Sequence, residues 1–220
     1  MKKFYRRLKN FINAFRGEEY ARRYEYLFEA IKKNKLKRIM EVGTWNGERA
    51  LEMIETAKKY NKAEDIEYYG FDLFDMMTDE IFKEEVSKRP LSQEYIKGAL
   101  EKTGAKIYLF KGFTKDTMPE VVSSLPKMDL IFIDGGHHID TIKNDWYYSQ
   151  KIMDDNTVVI FDDYWSGEWG KRKDAGCQSL IGEIDRSKFN VEILPIQDSF
   201  EKEWGVLKIN FVKVKHIIRS

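Results

Sequence analysis

Two spacings of apolar residues alternate along the chain. Runs that are apolar almost throughout fall at residues 38–42, 66–71, 106–110, 129–133 and 157–161. Such runs predict short strands buried on both faces. Between them, apolar side chains recur every three or four positions, the spacing of amphipathic helices. Tyr20, Tyr24, Leu27, Phe28 and Ile31 mark one helix at residues 18–34, and Ala50, Leu51, Ile54 and Ala57 mark the next. Further helical stretches are predicted at 78–88, 92–103, 117–124 and 139–153. Strands alternating with helices specify a mainly parallel sheet covered on both faces, which is an α/β fold in three layers. The last two apolar runs, 191–196 and 206–214, have only residues 197–205 between them and predict an antiparallel hairpin. The expected sheet therefore has seven strands, mostly parallel, with a C-terminal antiparallel hairpin.

Length fits one domain: residues 35–220 form it, and residues 1–34 are a helical segment packed on it or capping it. The first seventeen residues carry Lys2, Lys3, Arg6, Arg7, Lys9 and Arg16 with no acid, and Phe4, Leu8, Phe11, Ile12 and Phe15 at helical spacing. This is a basic amphipathic helix. Docking on its own domain is favoured over contact with an anionic membrane surface. Over the whole chain the charges nearly cancel at a formal +1, which removes the field a non-specific nucleic-acid binder needs. Cys177 is the single cysteine, so no internal disulfide forms. No apolar run approaches the roughly 18 residues of a membrane span, and no signal-peptide core is evident, so a cytoplasmic location is expected.

Open parallel sheets bind ligands beyond the carboxyl ends of their strands. The first strand ends in Glu41-Val42-Gly43-Thr44-Trp45-Asn46-Gly47, a glycine turn that lets a ligand approach main chain at a helix start. A plain strand-to-helix turn explains it equally well. Asp72 closes the second strand, where a carboxylate can accept from both ribose hydroxyls or merely cap a helix. The fourth and fifth strands end in Asp134-Gly135-Gly136-His137-His138 and Asp162-Asp163-Tyr164. Three carboxylates converging there would repel unless a cation or protonation relieved them, and an all-oxygen set suits Mg²⁺, Mn²⁺ or Ca²⁺ better than zinc. A neutral histidine beside them is a competent general base, although one of the pair is as well read as a helix cap. The long segment 166–176 has the character of a lid.

At these residues the chain resembles the class I S-adenosylmethionine-dependent methyltransferases, and more narrowly the small-molecule O-methyltransferase-like group whose fourth strand ends in Asp-Gly-x-His. The resemblance spans residues 37–165. It implies a Rossmann-like sandwich that transfers a methyl group from S-adenosylmethionine to a hydroxyl of a small acceptor. It also implies that Glu41, Gly43, Thr44, Trp45, Asn46 and Gly47 receive the methionine part of the donor. Asp72, with Leu73 beside it, then holds the ribose. Gly112, Phe113 and Thr114 lie by the adenine, and Asp134 completes the donor site. Metal-dependent relatives imply that Asp134, Asp162 and Asp163 bind Mg²⁺ and that His137 takes the acceptor's proton. The chain departs from the group in having His138-Ile139-Asp140 after the base and Asp154-Asp155-Asn156 before the fifth strand. Rival readings are a nucleotide-sugar or NAD-dependent enzyme on a related fold, a metal-dependent hydrolase, and a non-catalytic binding protein. The acceptor is not legible: Trp146, Tyr147, Tyr148, Tyr164, Trp165 and Trp169 could floor its pocket or pack the core. Homo-oligomerisation stays open.

Overall fold

Every predicted strand forms; the runs at 38–42, 67–72, 130–133 and 158–161 are buried on both faces as expected, whereas 106–111 is the edge strand and leaves Tyr108 exposed. The computed structural model describes residues 21–84, 89–202 and 205–218. The basic segment 1–17 lies outside the described residues. The seven strands are β1 (Arg38–Val42), β2 (Glu67–Asp72), β3 (Lys106–Lys111), β4 (Leu130–Ile133), β5 (Val158–Ser166), β6 (Phe189–Lys202) and β7 (Gly205–His216). They form one sheet in the order β3-β2-β1-β4-β5-β7-β6. β1 to β5 run parallel, while β7 pairs antiparallel with both β5 and β6. The chain winds outward from β1 to β3 and then returns to β4 and β5, so the topological switch point falls between β1 and β4.

Helices cover both faces. Leu27 and Ile31 of α1 (Glu25–Asn34), Ile54 of α2 (Glu48–Ala57) and Ile96 of α4 (Gln93–Leu100) pack on Ile39, Tyr68 and Phe132. A further short helix, α3 (Asp79–Glu84), precedes α4. On the other face, Met118 of α5 (Thr114–Val121), Ile142 and Trp146 of α6 (Ile139–Ser149) and Leu180 of α7 (Gln178–Glu183) pack on Met40, Phe71, Ile131 and Phe161. Adjacent β1 residues Ile39 and Met40 thus serve opposite cores, as the two-residue period of a strand requires.

Three features depart from the sequence reading. Residues 197–202, expected as a connector, are paired strand: Gln197 lies opposite Asn210 and Lys202 opposite Gly205. β5 runs past Phe161 to Ser166, with a register shift against β7 between Phe161 and Tyr164. A short helix, α7, follows the long loop, which itself is fastened down: Gly176 N–H donates to the His137 carbonyl at 2.9 Å, and Ile139 N–H to that of Asp174 at 2.9 Å.

Candidate active site at the carboxyl ends of the strands

Backbone hydrogen bonds stitch the four strand ends into one rim. Gly43 N–H donates to Phe71 O at 2.9 Å, Gly112 N–H to Asp72 O at 2.9 Å, and Asp134 N–H to Val42 O at 2.8 Å. Gly43, Asp72, Phe113 and Asp134, far apart in sequence, therefore share one edge. Gly43 has φ of 94°, and a Cβ there would lie 1.9 Å from the Asp134 carbonyl oxygen, so only glycine lets the β1 turn close against β4. Trp45 and Gly47 are also left-handed, at 46° and 77°. This zigzag delivers the chain to the start of α2, where Glu48 N–H donates to Asn46 Oδ1 at 3.0 Å.

Asp72 anchors the turn. Its carboxylate accepts from Trp45 N–H at 2.7 Å and from Phe74 N–H at 3.0 Å, one bond to each oxygen. Burial raises its pKa against the pull of these amides and those of Leu73 and Thr44. A carboxylate oxygen accepts two hydrogen bonds, so the chemistry left over suits a vicinal diol. Leu73 follows in the same turn, while Phe113 precedes α5 and Thr114 opens it. Thr114 Oγ1 accepts from Asn144 Nδ2 at 3.3 Å.

Glu41 lies deeper, 1% exposed, and accepts a hydrogen bond from the Tyr68 hydroxyl, which is 3.2 Å from Thr44 Oγ1. Burial pushes the Glu41 carboxyl up to about 8. Gly70, opposite Glu41 in the strand register, leaves the room: a Cβ there would meet Thr44 Oγ1 at 2.6 Å and the Tyr68 ring at 2.9 Å.

The three acids of β4 and β5 do not meet at one point: Asp134 and Asp162 share the Tyr24 hydroxyl, while Asp163 turns away to His137. Asp162 and Asp163 occupy the bulge of β5, and Asp163 is left-handed at φ 58°, so the neighbours point to different partners. Asp162 is gripped by Arg23, with Nε on Oδ1 and Nη2 on Oδ2, both at 2.8 Å. The Tyr24 hydroxyl lies 3.4 Å from Asp134 Oδ2 and 3.3 Å from Asp162 Oδ2. Burial and the Asp162 and Asp163 charges push Asp134 well above the usual carboxylate range. Burial also raises Asp162, against the opposing pull of Arg23. Asp163 turns instead to His137, Nε2 to Oδ2 3.0 Å, and accepts from Trp165 Nε1 at 3.1 Å. Burial alone would raise Asp163, but the neighbouring His137 and these hydrogen bonds hold it at about 2. His138 takes the capping role: its Nδ1 accepts from Asp140 N–H, 3.4 Å away, at the start of α6.

This rim lies within the segment that a family model recognises, described as a methyltransferase domain and matching residues 40–164. The chain belongs to that methyltransferase family. Among solved structures, the methyltransferase resembles the O-methyltransferase TomG from Streptomyces achromogenes, involved in tomaymycin synthesis and solved with S-adenosylmethionine. Identity is 15%, TM-score 0.61, with 90% of this chain and 82% of that one covered. It also resembles an O-methyltransferase from Bacillus cereus in complex with S-adenosylhomocysteine, at 13% identity and TM-score 0.60, covering 95% and 88% of the two chains. An uncharacterised protein of Acanthamoeba polyphaga mimivirus is 24% identical over 89 residues. That match spans 40% of each chain. Identities this low carry the fold, a class I Rossmann-like sandwich, and the family match carries the methyltransferase assignment.

The metal set expected from the sequence, Asp134, Asp162 and Asp163, does not fit a divalent ion in this methyltransferase. Both oxygens of Asp162 face a guanidinium, and Asp163 faces an imidazole. Among the described residues no group of three or more His, Cys, Asp or Glu side chains could hold a metal ion. The cause is the bulge, a property of β5–β7 pairing that the sequence did not reveal.

Sequence reasoning missed Arg23, Tyr24, Tyr68 and Asp198. Gly70, inside an otherwise bulky strand, was the available signal for Tyr68; nothing local marked the others. Of the candidate acceptor aromatics, Trp146 is core, packed edge-on to Phe189 at 5.2 Å. Tyr147 and Tyr148 lie on the same helix, edge to face. Trp165 is beside the site, 5.9 Å from the His137 ring, with Trp169 against it at 5.9 Å.

Proposed function

We propose that this methyltransferase transfers a methyl group from S-adenosylmethionine to a hydroxyl of a small-molecule acceptor, with His137 as the general base. The observation carrying this reading is the His137–Asp163 contact of 3.0 Å at the rim beside Gly43 and Asp134. Both named O-methyltransferase neighbours were solved with the donor or its demethylated product, which supports the choice of cofactor. When bound, S-adenosylmethionine supplies an electrophilic methyl group on a sulfonium.

The chain's residues do the rest. Main chain from Gly43 to Gly47, including Thr44, Trp45 and Asn46, receives the methionine end, with Glu41 behind it. Asp72 and Leu73 orient the ribose, while Gly112, Phe113 and Thr114 border the adenine. Asp134 closes the rim next to the reacting centre. A neutral His137 that donates Nε2–H to Asp163 keeps its lone pair on Nδ1 and accepts the acceptor's proton there. Asp163 stabilises the imidazolium that results, and Trp165 Nε1 holds the carboxylate in line. Trp165 and Trp169 form an apolar wall that helps to exclude water.

Calorimetric titration with S-adenosylmethionine and S-adenosylhomocysteine tests the cofactor, and label transfer to a panel of hydroxylated small molecules tests the chemistry. Both ligands should bind, and His137→Asn should slow transfer by roughly 10²–10⁴-fold while donor affinity is retained. Binding of neither ligand refutes the proposal. Label transfer that His137→Asn leaves untouched removes the base.

A further inference from the structure

We infer that Arg23 is a built-in cation standing where the resemblance implies a divalent ion, and that it keeps Mg²⁺ and Mn²⁺ off the Asp134–Asp162 rim. Every nitrogen of its guanidinium has a carboxylate partner: Nε and Nη2 take both oxygens of Asp162, and Nη1 reaches Asp198 Oδ2 at 3.1 Å. The fork geometry matches a carboxylate in a way no ammonium does. The group is also caged. Its central carbon lies 4.8 Å from the Tyr24 ring centroid, 5.5 Å from Phe211 and 5.8 Å from Phe200. Its side chain keeps only 7% of its exposure.

The arginine is pinned at its backbone as well. Arg22 N–H and Arg23 N–H donate to the two oxygens of Asp198, at 3.0 and 3.1 Å. Asp198 thus fixes both ends of one residue, and the guanidinium cannot swing clear without unseating the turn before α1.

A divalent ion at this rim would have to displace two things. Mg²⁺ needs oxygen ligands at roughly 2.0–2.1 Å in near-octahedral array, yet both Asp162 oxygens are committed to nitrogen. The Tyr24 hydroxyl fills the gap between Asp134 and Asp162. An incoming dication would also meet a fixed positive charge at contact distance in a partly dry setting, where repulsion is weakly screened. One buried guanidinium supplies the counter-charge that the carboxylates need, in a form that cannot be chelated away.

Binding of Mn²⁺ followed by electron paramagnetic resonance tests this without turnover, so its failure is distinct from failure of the O-methylation reading, which the donor titration reports. Native protein, Asp134→Asn and Arg23→Met are compared, with far-ultraviolet circular dichroism and a cooperative urea transition as the check on folding. The native chain should show no Mn²⁺ site that Asp134→Asn removes. Arg23→Met, with Asp162 and Asp134 released, should bind Mn²⁺ at least about tenfold more tightly than the native chain, the scale on which neighbouring groups tune metal affinity. The inference is overturned if the native chain binds one Mn²⁺ that Asp134→Asn abolishes, or if a folded Arg23→Met gains no affinity. Should Arg23→Met not fold, the native and Asp134→Asn titrations decide alone, because Asp134→Asn leaves the Arg23–Asp162 pair intact.

Discussion

At the end of β1, Glu41 carries a proton that a solvated glutamate would have lost. Its folded pKa is about 8 because burial penalises the charged form, against an ordinary value of 4.5. Below the unfolded value both states are protonated, and the group's contribution to stability is fully present. Between the two values the unfolded chain releases a proton that the folded chain keeps, so stability falls as pH rises, and above the folded value the loss is complete. Glu41→Gln keeps the shape and cannot titrate. In urea unfolding of the ligand-free chain from about pH 5 to pH 8, the variant should lose a slope of up to about 1.4 kcal/mol per pH unit, the worth of one proton. Equal slopes for native and variant would show that Glu41 is ionised in the folded state. The Tyr68 hydroxyl that donates to it has no water to fall back on, so the pair belongs to the fold before it belongs to the ligand.

Among elements, the distal hairpin and the turn before α1 depend on one another through Asp198. This side chain on β6 accepts two backbone amides and one guanidinium nitrogen, with only 12% of its side chain exposed. Asp198→Ala removes a cap and leaves Arg23 half-paired, and the expected loss is about 2–4 kcal/mol in urea unfolding. Glu192, on the same strand but half-exposed beside Lys213, is the contrast: Glu192→Ala should stay within about 0.5 kcal/mol. Equal effects would mean that the clamp does not hold the hairpin. The five parallel strands and the rim turns were legible in the sequence because each strand, even the edge strand β3, is a nearly unbroken apolar run that ends at or beside glycine or acid. The outer half of the hairpin was not: Gln197, Asp198, Ser199, Glu201 and Lys202 carry no alternation once the strand leaves the sheet's main core. Arg23 was invisible for another reason. Its partner Asp162 is 139 residues away, and an arginine beside Arg22 in a helical segment reads as a solvated face. The divergence of Asp162 from Asp163 was equally hidden, since a bulge is set by the partner strand β7 and not by the two acids.

Across the whole molecule, the proposed chemistry gathers at one end of the sheet, and the other end supplies an internal control. At the amino end of β5, beyond the Val159–Val214 pair, a cavity of about 540 Å³ is lined by Arg186, Phe189, Lys215 and Ile217, among others. The rim offers something different: main-chain amides at a helix start, a carboxylate with spare acceptor capacity, and a close β1–β4 approach that only Gly43 permits. A nucleoside sulfonium and its demethylated product are recognised by such groups, while a cavity edged by Arg186 and Lys215 places cations where a sulfonium would lie. Hydrogen exchange separates the two, because turn amides open locally at little cost whereas strand interiors exchange slowly with or without ligand. On adding S-adenosylhomocysteine, exchange should slow in residues 43–47, 72–76, 112–116 and 134–138, and stay unchanged in 186–191 and 215–218. Protection confined to the second set would move the ligand to the opposite end of the sheet and leave His137 and Asp163 more than a strand's length from it.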